Sequence, residues 1–324
     1  MTPPDNLKTL ILEAQRLLLI CHVTPDGDAI GSLLGLGWSL RKAGKQVTLA
    51  CPDTTPTELQ FLPGADEIGP ARPEALAQAE VIVILDSSDR ERIANQYAEA
   101  PFLAKPVIVI DHHVTNVLFG DVNWVEPTAA ATAQMCAELI RQLGLPLDEE
   151  VALCLLTGIV TDTRCFRTSN TTAEVLAAAT RLIEAGASLA DVTERVFRDN
   201  SLARICLWAR ALGGVQMKDR VIWTEVSREM LKACGAGTRD TTGLANFLDA
   251  TRDTDVSIVL VEKNGKVEAS MRAQRGVDIS GVAFGLGGGG HPQAAGFTRQ
   301  GTLAEIREQV LSATWAALRE QGRA

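Results

Sequence analysis

The sequence has few aromatic residues: eight Phe, five Trp and one Tyr make up 4% of its 324 residues. Proteins that bind long single strands of nucleic acid usually stack successive bases on aromatic side chains. The net charge of −9 also argues against a broad basic surface. We therefore expect no long or duplex nucleic acid as a partner. A small anionic substrate stays compatible, because bound divalent ions reverse the local charge of an acidic site.

The chain also lacks closely spaced cysteines and long apolar runs. Its seven cysteines are an odd number and none form a C-x-x-C pair, which argues against a zinc ribbon and a secreted disulfide framework. Reduced thiols that serve as small apolar residues are the simplest interpretation. No apolar run approaches the roughly 20 residues that span a bilayer. The first residues lack the basic start and apolar core of a signal peptide. We expect a cytoplasmic protein with no membrane partner.

Histidine is scarce as well, and its four copies are confined to three short motifs. The first motif is His22-Val-Thr-Pro-Asp26-Gly-Asp28, the second is Asp-His112-His113, and the third is a run of four glycines that ends in His291. Imidazole nitrogens and carboxylate oxygens together form a ligand set for divalent metals. The pattern predicts a hydrolase that uses two metal ions.

The first half of the chain alternates apolar runs of strand length with helical segments. The runs lie at 17–21, 47–51, 81–85 and 107–110. Continuous apolar runs are typical of strands buried on both faces of a parallel sheet. Helical patterns occur at 29–43, 129–143, 149–160 and 171–185. We predict an α/β fold with a doubly wound, mostly parallel sheet.

The second half has the pattern of a smaller α/β domain. Strand patterns lie at 215–217, 221–226, 256–262 and 266–271, with Asn264-Gly265 as a hairpin turn. Helical patterns lie at 241–250 and 303–318. We expect a first domain at 1–187, a helical linker at 188–213 and a second domain at 214–324. The active site is expected in the cleft between the two domains.

Imidazole and carboxylate side chains directly follow three of the predicted strands. These residues are His22, Asp86 and Asp111. Ligands of open parallel sheets bind beyond the carboxyl ends of the strands, so we expect the three side chains at one edge. A turn or helix N-cap is the ordinary explanation for any single Asp at such a position. The arrival of several such groups together is what predicts a metal site.

Three further acids extend this set. Asp26 and Asp28 flank Gly27, which can adopt the tight turn needed to point both carboxylates inward. For Asp28, an N-cap of the following helix is an alternative or additional role. Asp162 closes an apolar helical stretch, where a solvated helix-end carboxylate is the alternative.

The glycine run at 287–290 allows backbone N–H groups to approach an anion without side-chain obstruction. It is not a Walker loop, because no Lys-Ser/Thr follows. A flexible loop is the alternative, and a short helix is expected after His291. Arg272 can supply a phosphate contact from the same domain, although a lone Arg is usually a surface residue. The candidate substrate-binding residues are Arg272, Gly288, Gly289, Gly290 and His291.

In this order the motifs resemble the DHH phosphoesterase superfamily, which is named after the tripeptide found here at residues 111–113. The glycine-rich motif at His291 resembles the DHH-associated C-terminal domain. The stretch Thr157-Gly-Ile-Val-Thr-Asp162-Thr is most similar to bacterial nanoRNase (oligoribonuclease)/pAp phosphatases. The resemblance covers about residues 15 to 300.

The resemblance implies two divalent ions, typically Mn²⁺, that share one bridging carboxylate, Asp86. One ion takes His22, Asp26 and Asp86, and the other takes Asp28, Asp86, His112 and Asp162. The resemblance also implies that Asp111 orients an imidazole and that His113 faces the scissile phosphate. The second domain would then hold the terminal nucleotide or phosphate.

The implied activity is hydrolysis of short oligoribonucleotides to mononucleotides, of 3′-phosphoadenosine 5′-phosphate (pAp) to AMP, or both. The scarcity of aromatic residues favours substrates of about two to five nucleotides over long strands. One alternative is a phosphodiesterase for cyclic di-AMP or its linear product pApA. Another is a nucleotide-binding sensor without catalysis, against which the complete ligand set argues. A homodimer is left open.

Overall fold

The computed structural model describes residues 1–93, 104–197 and 201–323. It divides into two compact units, Met1–Asp199 and Asn200–Ala324. In the part of the chain that is described, no helix combines the length and the apolar character that crossing a membrane requires.

The first unit is built on a five-stranded sheet. Its strands are β1 Arg16–Ile20, β2 Gln46–Ala50, β3 Val81–Leu85, β4 Val107–Asp111 and β5 Val122–Val125. They lie in the order β2-β1-β3-β4-β5, and each neighbouring pair is parallel. Every residue of β3 and β4 is buried. The predicted parallel sheet is confirmed, with β1 to β4 within one residue of the predicted bounds, whereas β5 was not predicted.

Helices cover both faces of this sheet. They are α1 Asp5–Glu13, α2 Gly27–Lys42, α3 Pro73–Gln78, α4 Thr132–Leu143, α5 Glu149–Asp162, α6 Ala173–Glu184 and α7 Leu189–Phe197. Leu17 and Leu19 of β1 belong to the larger core, which includes residues of α2, α4 and α5. Leu18 and Ile20 belong to a smaller core on the opposite face. Burial on two faces explains the continuous apolar runs.

Glycines let α2, α4 and α5 pack closely. A Cβ on Gly31 of α2 would lie 2.5 Å from the carbonyl oxygen of Cys154 in α5. A Cβ on Gly158 of α5 would lie 2.6 Å from the Ala133 Cβ and 2.9 Å from Asp28 Oδ1. Such distances do not occur between real side chains, so these positions require glycine. The close approach brings the start of α2 beside α5.

The second unit contains a six-stranded mixed sheet in the order β10-β11-β9-β8-β7-β6. Its strands are β6 Gln216–Lys218, β7 Val221–Val226, β8 Val256–Lys263, β9 Lys266–Ala273, β10 Gly289–His291 and β11 Ala294–Gln300. Among the described strands of this second sheet, β7 and β8 pair in parallel and the other neighbouring pairs are antiparallel. The helices are α8 Leu202–Gly213, α9 Arg228–Cys234, α10 Leu244–Asp249, α11 Ser280–Gly285 and α12 Leu303–Glu320. The α/β character predicted for this half is confirmed.

The glycine run forms part of a hairpin. β10 pairs antiparallel with β11, and His291 lies opposite Ala294. The short helix expected after His291 is therefore wrong. A Cβ on Gly288 would lie 2.1 Å from the Gly296 carbonyl oxygen, and Gly290 has φ +138°. Close backbone contact and the left-handed conformation are thus two reasons for glycine here.

The segment predicted as a linker is divided between the units. Val192 of α7 packs into the core of the first unit, whereas Leu207 of α8 packs into a core of the second. A disulfide joins Cys206 of α8 to Cys234 of α9, with Cα atoms 5.6 Å apart. The other five cysteines are free thiols. The prediction of reduced cysteines is wrong for this pair, because helix packing juxtaposes residues 28 positions apart.

Candidate metal centre

The carboxyl edge of the parallel sheet collects imidazole and carboxylate side chains. His22 lies two residues beyond β1, Asp86 directly follows β3, and Asp111 is the last residue of β4. Their exposed fractions are 2%, 1% and 0%. Such complete burial of charged side chains requires partners, and each of the three has them.

Among the described residues, three groups of side chains place their ligand atoms within 4.8 Å of one another. The groups are His22, Asp26 and Asp86; Asp28, His112 and Asp162; and Asp86, His112 and His113. Asp86 and His112 each belong to two groups. The structure thus brings together all six predicted metal ligands, whereas Asp111 lies in none of these groups.

Asp86 lies between two histidines, His22 beyond the end of β1 and His112 beyond the end of β4. Its Oδ2 is 3.3 Å from His22 Nε2, and its Oδ1 is 3.6 Å from His112 Nε2. Burial disfavours the charged carboxylate, but the hydrogen bond from His22 and the charge of His112 outweigh it and lower the pKa of Asp86 to about 2. Its φ of +59° is in the left-handed region, which Asp tolerates better than most residues. Backbone strain of this kind is typical of functional sites.

Asp26, and not Asp28, is the N-cap of α2. Its Oδ1 accepts hydrogen bonds of 3.0 Å from the backbone N–H groups of Asp28 and Ala29. The N-cap role considered for Asp28 is therefore wrong. Gly27 is the first residue of α2 and is not in the left-handed region, so the predicted tight turn is also wrong. Glycine is needed because a Cβ would lie 2.4 Å from Thr161 Cγ2.

Asp28 is the second residue of α2, and its fully buried carboxylate contacts the first residues of α4. Its Oδ2 accepts from the N–H of Thr132 (2.6 Å), and its Oδ1 accepts from the N–H of Ala133 (2.8 Å). Burial raises the pKa of Asp28 well above its usual value, and the charges of Asp86 and Asp162 raise it further. A divalent cation would offset this crowding of carboxylates.

His112 faces the same acids through Nε2. This atom is 3.3 Å from Asp162 Oδ2 and 3.8 Å from Asp28 Oδ2. Burial lowers the pKa of His112, but Asp162, Asp28 and Asp86 outweigh it and raise the pKa to about 10. Asp162 is the last residue of α5, and its side chain is only 23% exposed. The alternative of a solvated helix-end carboxylate is therefore wrong.

His113 is held by a chain of hydrogen bonds. Its Nδ1 contacts Asp111 Oδ1 at 2.7 Å, and Asp111 Oδ2 accepts from Asn116 Nδ2 at 2.6 Å. The hydrogen bond to Asp111 raises the pKa of His113, although burial opposes it. With its proton on Nδ1, the neutral ring leaves Nε2 as the unprotonated nitrogen.

Two residues that contact the predicted site were missed in the sequence. Asn116 follows the Asp-His-His motif by three positions, so its place in a loop beyond a strand was an available signal. Thr132 donates its hydroxyl to Asp86 Oδ1 at 3.0 Å. Its surroundings, Ala-Ala-Ala-Thr-Ala, are those of an ordinary helix start and carry no such signal.

The candidate substrate-binding residues all lie in the second unit. Arg272 of β9 donates from Nε to Asn246 Oδ1 at 2.7 Å. With Ser270, Gly289 and other residues, Arg272 lines an open pocket of about 410 Å³. His291 instead lines a different pocket, of about 390 Å³, together with residues 276–278. The structure therefore places Arg272 and Gly289 together but His291 elsewhere on the hairpin.

Comparisons with known proteins match both units. The N-terminal domain of the DHH family matches residues 16–159, and the DHHA1 domain matches residues 230–320. The bifunctional oligoribonuclease and PAP phosphatase NrnA of Thermus thermophilus is 37% identical over 310 residues, 94% of this chain and 91% of the relative. NrnA of Bacillus subtilis is 27% identical over 86% of this chain and 88% of its own length.

A solved structure supports the fold. The crystal structure of an exopolyphosphatase-related protein from Bacteroides fragilis superimposes with a TM-score of 0.90 at 25% sequence identity. The match covers 98% of this chain and 97% of that one. The arrangement of strands and helices is therefore shared over nearly the whole chain.

Proposed function

This chain belongs to the DHH family and carries a DHHA1 domain, and from that premise we propose that it hydrolyses short oligoribonucleotides to mononucleotides and pAp to AMP. Two relatives named for these activities align over most of the chain, which supports the proposal. The enzyme is a metal-dependent phosphoesterase.

One observation carries this function: two separate groups of imidazole and carboxylate ligands lie side by side. His22, Asp26 and Asp86 form one group, and Asp28, His112 and Asp162 form the other. Asp86 is near enough to His112 to serve both groups. Their mixture of nitrogen and oxygen donors suits a divalent first-row metal, and we infer that each group holds one Mn²⁺ ion. Two such ions, when bound, would supply Lewis-acid chemistry to a phosphate ester.

His113 and Asp111 are the catalytic residues of the proposal. Asp111 accepts the Nδ1 proton of His113 and fixes the orientation of the ring. The side chain of His113 is 35% exposed, so its Nε2 can reach a bound phosphate. In its protonated form Nε2 donates a charge-assisted hydrogen bond to a phosphate oxygen.

The second unit supplies the proposed grip on the rest of the substrate. The Arg272 guanidinium suits a phosphate, and its contact with Asn246 limits its rotation. The backbone of Gly288, Gly289 and Gly290 is free of side chains, and His291 adds an exposed imidazole. A phosphate held through these groups belongs to the part of the substrate distant from the reacting ester.

Product analysis on a substrate panel tests the proposed function. Purified, Mn²⁺-loaded protein is incubated with pAp, pApA, cyclic di-AMP and RNAs of about two to five nucleotides, the range favoured by the lack of a stacking track. We expect AMP from pAp and mononucleotides from the RNAs. Cleavage confined to pApA and cyclic di-AMP would establish the alternative phosphodiesterase. Binding without any product would establish a sensor.

A further inference from the structure

Thr132 contacts two candidate ligands with two different groups. It is the first residue of α4 and is fully buried. Its backbone N–H donates to Asp28 Oδ2 at 2.6 Å, and its hydroxyl donates to Asp86 Oδ1 at 3.0 Å. Carboxylates accept only, so the direction of both hydrogen bonds is determined. One residue of α4 therefore joins a carboxylate from α2 to a carboxylate from β3.

The hydroxyl contact distinguishes the two oxygens of Asp86. Oδ2 faces His22 at 3.3 Å, whereas Oδ1 faces His112 at 3.6 Å. The terminal torsion of an Asp side chain is broad, so rotation of the carboxylate is not restricted by its own geometry. A hydrogen-bond donor that contacts Oδ1 and not Oδ2 restricts this rotation. The hydroxyl of Thr132 is such a donor, because it contacts Oδ1.

We propose that Thr132 is a positioning residue that orients Asp86, so that one carboxylate oxygen faces each ligand group. The inference deepens the proposed function and rests on it, because the orientation matters only if Asp86 bridges two ions. Thr132 itself contacts neither an ion nor the substrate in this role. Loss of a partner that orients a metal ligand typically weakens metal affinity about 10- to 100-fold.

Substitution of Thr132 by valine and by serine separates positioning from packing. Thr132→Val keeps the branched shape and the backbone N–H to Asp28 but removes the hydroxyl. Thr132→Ser keeps the hydroxyl and removes the methyl group. Thr314→Val is a matched control, because Thr314 of α12 is also fully buried and donates its hydroxyl to the Val310 carbonyl.

The measurement is a Mn²⁺ titration of each metal-free protein, with bound ions determined from the loss of the free-ion EPR signal. Urea unfolding of the metal-free proteins accompanies it. We expect Thr132→Val to bind at least one ion about 10- to 100-fold more weakly than the parent. Thr132→Ser should restore the parent isotherm, and Thr314→Val should leave it unchanged.

Two results would overturn the inference. One is an isotherm of Thr132→Val that superimposes on that of a two-ion parent. The other is a loss of metal-free stability in Thr132→Val that accounts for the weaker binding and that serine does not reverse. If valine prevents folding, Thr132→Ala provides the same comparison with less crowding. A parent that binds no ions would instead contradict the proposed function itself.

Discussion

At the scale of single residues, the site is an arrangement of acids that repel one another. Asp28 and Asp162 both have raised pKa values because burial and neighbouring carboxylates disfavour their charged forms. Asp86 has a lowered pKa despite its burial because His22, His112 and His113 lie beside it. In the absence of metal the histidines thus supply positive charge that divalent ions supply in the proposed enzyme.

Asp86→Ala should be more damaging than loss of any ligand to a single ion. We expect the rate to fall by at least about three orders of magnitude, because removal of the shared carboxylate weakens the binding of both ions that would stabilise charge on the reacting phosphate. Initial rates on pAp and the content of bound metal are the two measurements. Asp121→Ala is the control, since that carboxylate caps the Val107 N–H at the opposite end of β4. A folded Asp86→Ala protein with two ions and nearly the parent rate would disprove the bridge.

Metal loading should release protons. His112 has a pKa of about 10, so its ring carries a proton at pH 7 when metal is absent, and, although burial opposes it, contact with Asp86 also raises the pKa of His22. Because ligating histidines must be neutral, Mn²⁺ displaces protons bound to them and its affinity falls as pH falls. Calorimetry in buffers of different ionisation enthalpy counts the protons. His112→Ala should release fewer than the parent, and His291→Ala should release the same number. Equal release from all three proteins would contradict this account.

At the scale of helices and strands, the site depends on close packing as much as on strand ends. The parallel strands deliver His22, Asp86 and Asp111 to one edge, but Asp28 and Asp162 arrive on helices. The helices meet where Gly158 leaves room for Asp28. Helix packing therefore decides whether the second ligand group forms.

Gly158→Ala should weaken both folding and metal binding. The added methyl would lie 2.6 Å from the Ala133 Cβ and 2.9 Å from Asp28 Oδ1. Overpacking of this kind costs about 1–3 kcal/mol of unfolding free energy. Gly281→Ala is the matched control, because Gly281 is also helical but an added methyl there would meet no described atom within 4 Å. Urea unfolding and Mn²⁺ titration of both variants are the measurements. Equal stability of the two would show that the helices adjust freely.

The disulfide between α8 and α9 determines how many free thiols the protein should contain. Denatured protein prepared without reductant should show five thiols out of seven cysteines, and reduced protein should show seven. Closing a loop of 28 residues stabilises a fold by about 3.6 kcal/mol, so reductant should also lower the melting temperature. Cys206→Ser should be insensitive to reductant. Seven thiols before reduction would show that the pair is not bonded in solution.

The sequence allowed prediction of the elements whose pattern is strong. The apolar runs match β1 to β4, of which β3 and β4 are fully buried whereas β1 exposes Arg16 and β2 exposes Gln46 and Thr48. The hairpin turn at Asn264-Gly265 is confirmed by two positive φ angles. β5 has only four residues and contains Asn123, so it lacks a continuous apolar run. β10 is mostly glycine, a residue disfavoured in strands, so its pairing with β11 was not apparent.

Prediction of the site reached its limit where contacts are distant in sequence. The strand-end positions of His22, Asp86 and Asp111 follow from the parallel pattern alone. The hydrogen bond from Thr132 to Asp28 joins residues 104 positions apart, and no local pattern indicates it. The choice between Asp26 and Asp28 as N-cap likewise depended on the position at which α2 begins.

At the scale of the whole molecule, the candidate residues are divided between two units. All six candidate metal ligands lie in the first unit, and all five candidate substrate-binding residues lie in the second. Each unit has its own sheet and its own cores. Substitutions in the first set should therefore change metal binding, whereas substitutions in the second set should change substrate binding.

Arg272→Ala and His291→Ala should leave metal content intact but weaken nucleotide binding. A charge-assisted contact to phosphate is worth about 1.5–3 kcal/mol, and part of that loss should appear in kcat if the contact aligns the ester. Bis(p-nitrophenyl) phosphate lacks the distal nucleotide and should be cleaved almost as well by the variants as by the parent. Arg299→Ala, which removes an exposed arginine from β11, is the control. Loss of metal, or equal loss on both substrates, would refute this division.

The spread of the candidate ligands along the chain has a consequence for biosynthesis. They run from His22 to Asp162, so a nascent chain exposes its first acids long before α5 has left the ribosome. Translation adds about 5–20 residues per second, and contacts between distant residues form late in folding. The group of His22, Asp26 and Asp86 is complete in the sequence at residue 86, but the group of Asp28, His112 and Asp162 cannot form until α5 is present. Capture of the second ion would then follow the docking of α5 rather than begin the folding of the first unit.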